Sequence, residues 1–300
     1  MNKKIYIAGC GGMLGDAFYN VFKNNYNLKC TDIDINDDWL SHLDFRNYEK
    51  YNNDVNDFNP DYLFHLGAFT DLEFCEKNIS DAYLTNTISV ENAVKISNNL
   101  KIPLLYISTA GIFDGKKDLY DDWDAPNPIC HYARSKYQAE LFVEKNANQY
   151  LICRAGWMMG GGPRKDKKFV NKIISQIKAK NKILNIVNDK MGTPTYTYDF
   201  ANNTELLINS EYWGTYNLVC EGLTSRLEVT REILKFFKLE EKVKIIEVSS
   251  DFFKKEYFVN RPDSERLINF KLNSRSLNIM RDWKICLHEY LAKEYSDYLS

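Results

Sequence analysis

The chain of 300 residues lacks an excess of charge of either sign, with 39 lysines and arginines against 41 aspartates and glutamates and a formal net charge of -2. That balance gives no broad attraction to nucleic acid or to an anionic membrane surface. Histidine is scarce, at 4 residues, and the 7 cysteines, at positions 10, 30, 75, 130, 153, 220 and 286, include no Cys-x-x-Cys pair. Neither a zinc cage nor a disulfide framework is expected, no metal site is assigned, and the compartment reads as reducing. No apolar run approaches the roughly 18 residues of a membrane span. Met1-Asn-Lys-Lys4 leads into a short apolar strand, where a signal peptide would need a longer apolar core. A cytoplasmic protein is expected, with a small soluble partner in place of nucleic acid or membrane. Internal repeats and low-complexity tracts are also missing.

What is present is enough apolar material for a large core, at 44% hydrophobic and 14% aromatic content. Short apolar runs near 3–8, 28–33, 61–66, 103–108 and 150–154 alternate with amphipathic helical stretches near 13–24, 80–98 and 130–146. That rhythm predicts an α/β fold on a parallel sheet with right-handed crossovers. Beyond about 155 the pattern loosens into Gly160-Gly-Gly-Pro163, a lysine-rich helix near 167–180, strands near 183–187 and 215–219, and a mixed tail. A smaller lobe interleaved with the main one is expected.

Gly9, Gly12 and Gly15 follow the strand Lys4-Ile-Tyr-Ile-Ala8 and open a helical pattern, which is the context of a dinucleotide-binding turn. Gly9 permits the tight turn, Gly12 lets the backbone approach a pyrophosphate, and Gly15 allows the helix to pack on the strand. The helix N-terminus, with Met13 and Leu14, supplies amide donors to the negative charge. The second strand ends at Asp32, where a carboxylate binds the adenosine ribose hydroxyls and repels a 2′-phosphate, so NAD(H) is favoured with NADP(H) possible. Asp44-Phe45 would sit against the adenine or form a plain turn.

Tyr132 and Lys136 are four residues apart in a helical segment and project from one face. An ammonium beside a phenol favours the phenolate, which makes Tyr132 a proton donor to a ketone, and Lys136 would also hold the nicotinamide ribose. Tyr19 and Lys23 share that spacing but lie in the first helix beside the phosphate turn, and they read as structural. Thr109 ends the strand Pro103-Leu-Leu-Tyr-Ile-Ser108 at the carboxyl edge of the sheet, where open α/β folds bind ligands. Its hydroxyl would align a substrate carbonyl, with Ser108 as a competitor for that role.

These residues resemble the extended short-chain dehydrogenase/reductases and, within them, the dTDP-4-dehydrorhamnose reductases. The resemblance runs over nearly the whole chain: the three glycines, Pro60-Asp-Tyr-Leu-Phe-His-Leu-Gly67-Ala68, Thr70 with Glu73 and Glu76, and Ser108-Thr109-x-x-Ile-Phe113-Asp-Gly115. It continues through Tyr132-x-x-x-Lys136, Arg154-Ala-Gly-Trp157, Asp189-Lys-Met-Gly-Thr-Pro194-Thr195, Arg261-Pro-x-x-Ser264-x-Arg-Leu267 and Asp282-Trp283. It implies a Rossmann doubly wound sheet, over 1–155 plus about 193–220, and a sugar-nucleotide lobe, over about 156–192 plus 221–300. The implied reaction is NAD(P)H-dependent reduction of the 4-keto group of a nucleoside-diphosphate deoxyhexose, in deoxysugar or surface-polysaccharide synthesis, by a possible homodimer. Mapped here, Thr109, Tyr132 and Lys136 are the catalytic trio. Gly67 and Ala68 fall to the cofactor, and Thr70, Trp157 and Arg261 to the sugar nucleotide. Two departures sit beside the hexose: the family's Asp-Tyr pair is Ala110-Gly111, and its Val-Tyr pair is Met158-Met159, followed by Gly160 to Gly162.

Other readings stay open at this point. Trp157 is as much a core candidate as a ligand of the sugar, and the run Arg164 to Lys168 reads as a solvated face before a diphosphate clamp. His65 reads as a satisfied core histidine, and His131 is left out of the chemistry. A nucleotide-sugar epimerase or dehydratase shares the trio, although Ala110-Gly111 stands where dehydratases place an acidic pair. A noncatalytic nucleotide-binding regulatory subunit is the reading from another class, and an intact trio counts against it.

Overall fold

The computed structural model describes residues 2–298, so Met1, Leu299 and Ser300 at the outer domain bounds lie outside the described residues. The first half supplies β1 (Lys4–Ala8), α1 (Met13–Phe22), β2 (Asn27–Asp32), β3 (Leu40–His42), α2 (Tyr48–Phe58) and β4 (Tyr62–His65). These are followed by α3 (Leu72–Lys77), α4 (Ile79–Tyr83), a π turn (Leu84–Ile88), α5 (Ser89–Leu100), β5 (Leu104–Thr109), α6 (His131–Asn146) and β6 (Tyr150–Ala155). All five expected apolar runs enter one sheet.

The second half contributes β7 (Trp157–Met159), α7 (Gly162–Lys165), α8 (Phe169–Lys178), β8 (Ile183–Val187), β9 (Met191–Gly192), β10 (Pro194–Tyr196), α9 (Thr197–Ser210) and β11 (Gly214–Asn217). Then come β12 (Thr224–Ser225), α10 (Arg226–Phe236), β13 (Lys244–Val248), β14 (Ser264–Glu265), α11 (Phe270–Ser274) and α12 (Trp283–Tyr295). The main sheet is seven-stranded in the order β11-β6-β5-β4-β1-β2-β3, and every pairing in it is parallel. Small sheets β10-β7, β12-β9-β14 and β13-β8 organise the rest. This is the doubly wound α/β architecture with an interleaved smaller lobe.

The period of two along each strand divides the core. Ile5 and Ile7 of β1 point to one face, with Phe18 and Phe22 of α1 and Phe200 of α9. Tyr6 and Ala8 point to the other, with Val90 and Val94 of α5 and Ala139 of α6. The first of these cores does not stop at the main sheet; it runs on through Ile174, Ile186, Ile233, Leu287 and Tyr290 of the later elements. All seven cysteines are free and buried. No helix among the described residues is long and apolar enough to cross a membrane.

Two features depart from the expected pattern. β3 is a strand of three residues, too short to register as a period. The helix expected near 80–98 is broken by the π turn. There Asn86 and Thr87 give their side chains to other segments: Thr87 Oγ1 donates to the Ser135 carbonyl at 2.8 Å, and Asn86 reaches both Phe69 and Ser135. A regular α-helix would turn one of these away.

Candidate active site

The glycine turn makes an open cradle at the end of β1. A Cβ on Gly9, whose φ is +75°, would stand 2.2 Å from the Gly67 Cα, and one on Gly15 would stand 2.0 Å from the Cys10 carbonyl oxygen. Neither position admits another residue without a shift of the backbone. Gly12 differs, because a Cβ there meets nothing within 4 Å. It caps α1 with no side-chain hydrogen bond, which leaves the first amides of Met13 and Leu14 free of a side-chain cap. Asp32 Oδ2 accepts the Gly11 N–H at 2.8 Å, and Asn36 Nδ2 donates to the Gly11 carbonyl at 3.0 Å, so the turn is held from both sides. An uncapped helix N-terminus, open space beside it and a carboxylate across the turn suit a dinucleotide pyrophosphate and its ribose.

Phe45 is buried beside the loop that follows β4. The ring lies under Gly67, where a Cβ would come within 2.2 Å of it, and edge-on to His65 at 4.8 Å between centroids. The Asp44 carboxylate is engaged by the Arg46 guanidinium at 2.7 Å, which holds its pKa below the usual range. His65 is the satisfied core residue expected, with Tyr51 Oη at 3.2 Å and Ser89 Oγ at 3.1 Å from its two ring nitrogens, and burial pushes its pKa down to about 3. Tyr19 stacks on Trp39 at 4.1 Å and is structural. Ala68 follows Gly67 on the partly exposed loop after β4.

β5 delivers Thr109 to the carboxyl edge, partly exposed, while Ser108 points inward and its buried Oγ has no hydrogen-bond partner among the described residues. Thr109 Oγ1 accepts the Gly111 N–H at 3.1 Å. The first turn of α6 places Tyr132 beside Thr109, where burial drives the phenol pKa up and the Thr109 hydroxyl pulls it down. One turn on, Lys136 is 4% exposed, with Nζ 4.4 Å from the centre of the Tyr106 ring. Burial lowers its pKa to about 7, against an upward pull from Glu140. The expected drop in the Tyr132 phenol pKa is not seen in this geometry, because desolvation outweighs the hydrogen bond from Thr109. Asn86 steadies the helix: its Oδ1 accepts the Phe69 N–H at 2.8 Å, and its Nδ2 donates to the Phe69 carbonyl at 3.0 Å and to Ser135 Oγ at 3.1 Å.

The second lobe closes on this edge. Trp157 is half-buried, with its Nε1–H donating to Glu265 Oε2 at 2.7 Å, one face against Gly192 and the Arg226 guanidinium 3.6 Å from its ring centre. Burial lowers the Arg226 pKa to about 10. Arg261 grips Glu73 through two hydrogen bonds of 2.8 Å. Burial alone would raise the Glu73 carboxyl, but Arg261 holds it below the usual range. Thr70 accepts from Lys168 Nζ at 2.9 Å.

The run Arg164 to Lys168 is not a solvated face. Lys165 is buried, with Nζ 2.5 Å from Asp37 and 3.6 Å from Asp16, Arg164 pairs with Asp37 at 2.6 Å, and only Lys167 is both exposed and unpaired among the described residues. The acidic loop after β2 draws these cations in, and the pattern of the run itself carried no trace of that distant partner. Residues 160–168 therefore strap the second lobe across the glycine turn, and a Cβ on Gly161 would stand 2.9 Å from the Met13 Cβ. Asn86, Arg226 and Glu265 were not singled out from the sequence. Glu265 stood as an unspecified position inside Arg261-Pro-x-x-Ser264-x-Arg-Leu267, and a carboxylate within such a motif was the available signal.

The family model described as the RmlD substrate binding domain matches residues 3–296. The dTDP-4-dehydrorhamnose reductase of Aggregatibacter actinomycetemcomitans is 27% identical over 200 residues, which span 66% of this chain and 65% of that protein. A solved dTDP-4-dehydrorhamnose reductase from Yersinia enterocolitica is 32% identical with a TM-score of 0.87, covering 97% of this chain and 99% of that one. The Bacillus anthracis dTDP-4-dehydrorhamnose reductase, solved in complex with NADP, is 27% identical with a TM-score of 0.89, covering 98% of this chain and 100% of that one.

Proposed function

The chain belongs to the RmlD substrate-binding domain family, and from that premise we propose that it reduces the 4-keto group of a nucleoside-diphosphate deoxyhexose with a nicotinamide dinucleotide. The observation that carries this reading is the convergence of Thr109, Tyr132 and Lys136 at the carboxyl edge of the sheet, on the same rim as the open glycine turn. The cofactor, when bound, supplies the hydride. Gly9, Gly12, Gly15 and the first turn of α1 hold its pyrophosphate, and Asp32 accepts from its adenosine ribose. Gly67 and Ala68 line its path past β4. Thr109 donates a hydrogen bond to the substrate carbonyl oxygen and Tyr132 gives that oxygen its proton. Lys136, charged, stabilises the phenolate left behind and holds the nicotinamide ribose.

Residues 1–155 with about 193–220 form the cofactor domain in this reading, a division supported by the entry of β11 into the main sheet. The remainder, with Trp157, Arg261 and Thr70 facing it across the cleft, takes the sugar nucleotide. Asp32 favours NADH over NADPH by charge repulsion.

The test is oxidation of NADH and NADPH with dTDP-4-dehydrorhamnose, the product read by NMR. Tyr132→Phe should lower kcat by at least about a thousandfold, within the range general-acid loss produces, while NADH affinity stays within a few-fold. Unchanged turnover in the variant removes Tyr132 from the chemistry, and NADPH used more efficiently than NADH removes Asp32 as the discriminator.

A further inference from the structure

The departure at Ala110-Gly111 meets a side chain from the second lobe, Glu265. Ala110-Gly111 replaces a pair that carries a large ring in the family the sequence resembles, and the space is not left empty. A Cβ built on Gly111 would stand 3.3 Å from Glu265 Oε1 and 3.5 Å from Thr109 Oγ1. A carboxylate from the second lobe thus reaches within a side chain's width of the trio, and a larger residue at 111 would crowd it.

Glu265 is fixed there. Its backbone lies in β14, paired in parallel with β9. The next residue, Arg266, pairs with Asp118, and the Leu267 N–H donates to Thr193 Oγ1 at 3.1 Å. Its side chain is held by the Trp157 indole through Oε2 alone. Oε1 has no hydrogen-bond partner among the described residues and faces Gly111. Arg226, stacked on the same indole, is close enough for the Glu265 charge to support its guanidinium against burial, but it makes no hydrogen bond or close ion pair with the carboxylate among the described residues, so Oε1 keeps its accepting capacity.

An ionised carboxylate only accepts hydrogen bonds. Set beside a ketone oxygen it would repel it, so its place near Thr109 and Tyr132 is favourable only toward a donor next to the carbonyl. On a 4-keto hexose the donor adjacent to the ketone is the hydroxyl on carbon 3. We propose that Glu265 is a specificity-determining residue that accepts a hydrogen bond from the substrate hydroxyl neighbouring the reacting carbonyl, an inference that rests on the function proposed above. Glu265 then selects sugars that keep that hydroxyl and rejects 3-deoxy sugars, because an acceptor that the bound sugar shuts off from water and leaves unpaired is penalised more than a missing apolar contact.

The experiment compares kcat/KM for dTDP-4-dehydrorhamnose and its 3-deoxy counterpart in the unmodified protein, Glu265→Gln, Glu265→Ala and Trp157→Phe. The unmodified protein should favour the 3-hydroxy sugar by about 10- to 100-fold, the range of a charge-assisted hydrogen bond. Glu265→Ala should bring the ratio to within about threefold, and the isosteric Glu265→Gln, which keeps a neutral partner at that place, should fall between. Trp157→Phe removes the indole donor but leaves the carboxylate, and should retain most of the discrimination. A ratio near one in the unmodified protein, or one undiminished in Glu265→Ala, overturns the inference. So does an equal loss for both sugars in Glu265→Ala and Trp157→Phe, the sign of a merely structural role. Calorimetric binding of the same two sugar nucleotides separates the two levels. Discrimination that depends on Glu265 without turnover supports the contact while the proposed reaction fails, and turnover without it does the reverse.

Discussion

Lys136 joins stability to chemistry at a single atom. Its pKa of about 7 lies below the 10.5 of an unfolded lysine, because burial disfavours the charged form. Between those values the unfolded chain holds a proton that the folded chain lacks, so this residue's contribution to stability rises with pH across that window and is at its worst below pH 7. The cost there is on the order of 5 kcal/mol. Lys136→Met should therefore raise the melting temperature at pH 6 more than at pH 9, while turnover is lost. Calorimetry at the two pH values measures the difference, and an equal gain at both would mean that the buried charge is not its source. The positions of Thr109, Tyr132 and Lys136 at one edge of the sheet were legible because each sits at a landmark: a strand end, a helix start, and one helical turn beyond. Their electrostatics were not legible. The spacing of Tyr132 and Lys136 says that a cation lies near a phenol but says nothing of how deeply both are buried. Glu265 was hidden for a related reason, since 156 positions separate it from Thr109 and only the fold brings the two together.

At the scale of elements, the parallel sheet follows from apolar runs of strand length spaced by helix-length amphipathic segments, and those runs occupy β1, β2, β4, β5 and β6. The π turn had no such warning. Its sequence, Leu84-Thr-Asn-Thr-Ile88, fits a polar helical face as well as it fits a widened turn. What settles the matter is satisfaction of distant backbone groups, with Asn86 answering both the N–H and the C=O of Phe69. Asn86→Ala would leave those partly buried groups without that partner, at a cost of about 1 to 3 kcal/mol. The expected outcome is a fall of several degrees in melting temperature. Because Ser135 lies between Tyr132 and Lys136, kcat should also drop by about tenfold or more through misalignment. A variant with unaltered kcat would confine Asn86 to stability. The pairing of the run Arg164 to Lys168 is hidden for the converse reason: a run of cations is solvated unless the fold supplies acids, and Asp37 and Asp16 come from the other lobe.

For the whole molecule, the division into a cofactor part and a sugar part is not a division of the core. One hydrophobic cluster holds Ile5 and Phe18 together with Ile233 and Tyr290, and α9 lies against α1. The protein should therefore unfold in a single calorimetric transition. Two separated transitions would show that the lobes fold independently despite the shared core. The seven buried thiols give this cooperativity a chemical readout. Alkylation requires the thiolate and access to it, and burial denies both in the folded chain; the Cys75 pKa, for example, is pushed up to about 12. The cysteines are spread from the glycine turn to the last helix, so each labels the opening of its own neighbourhood. If the molecule opens as a unit, all seven should be modified at one common rate, and mass spectra taken during labelling should contain chains bearing none or seven adducts with few between.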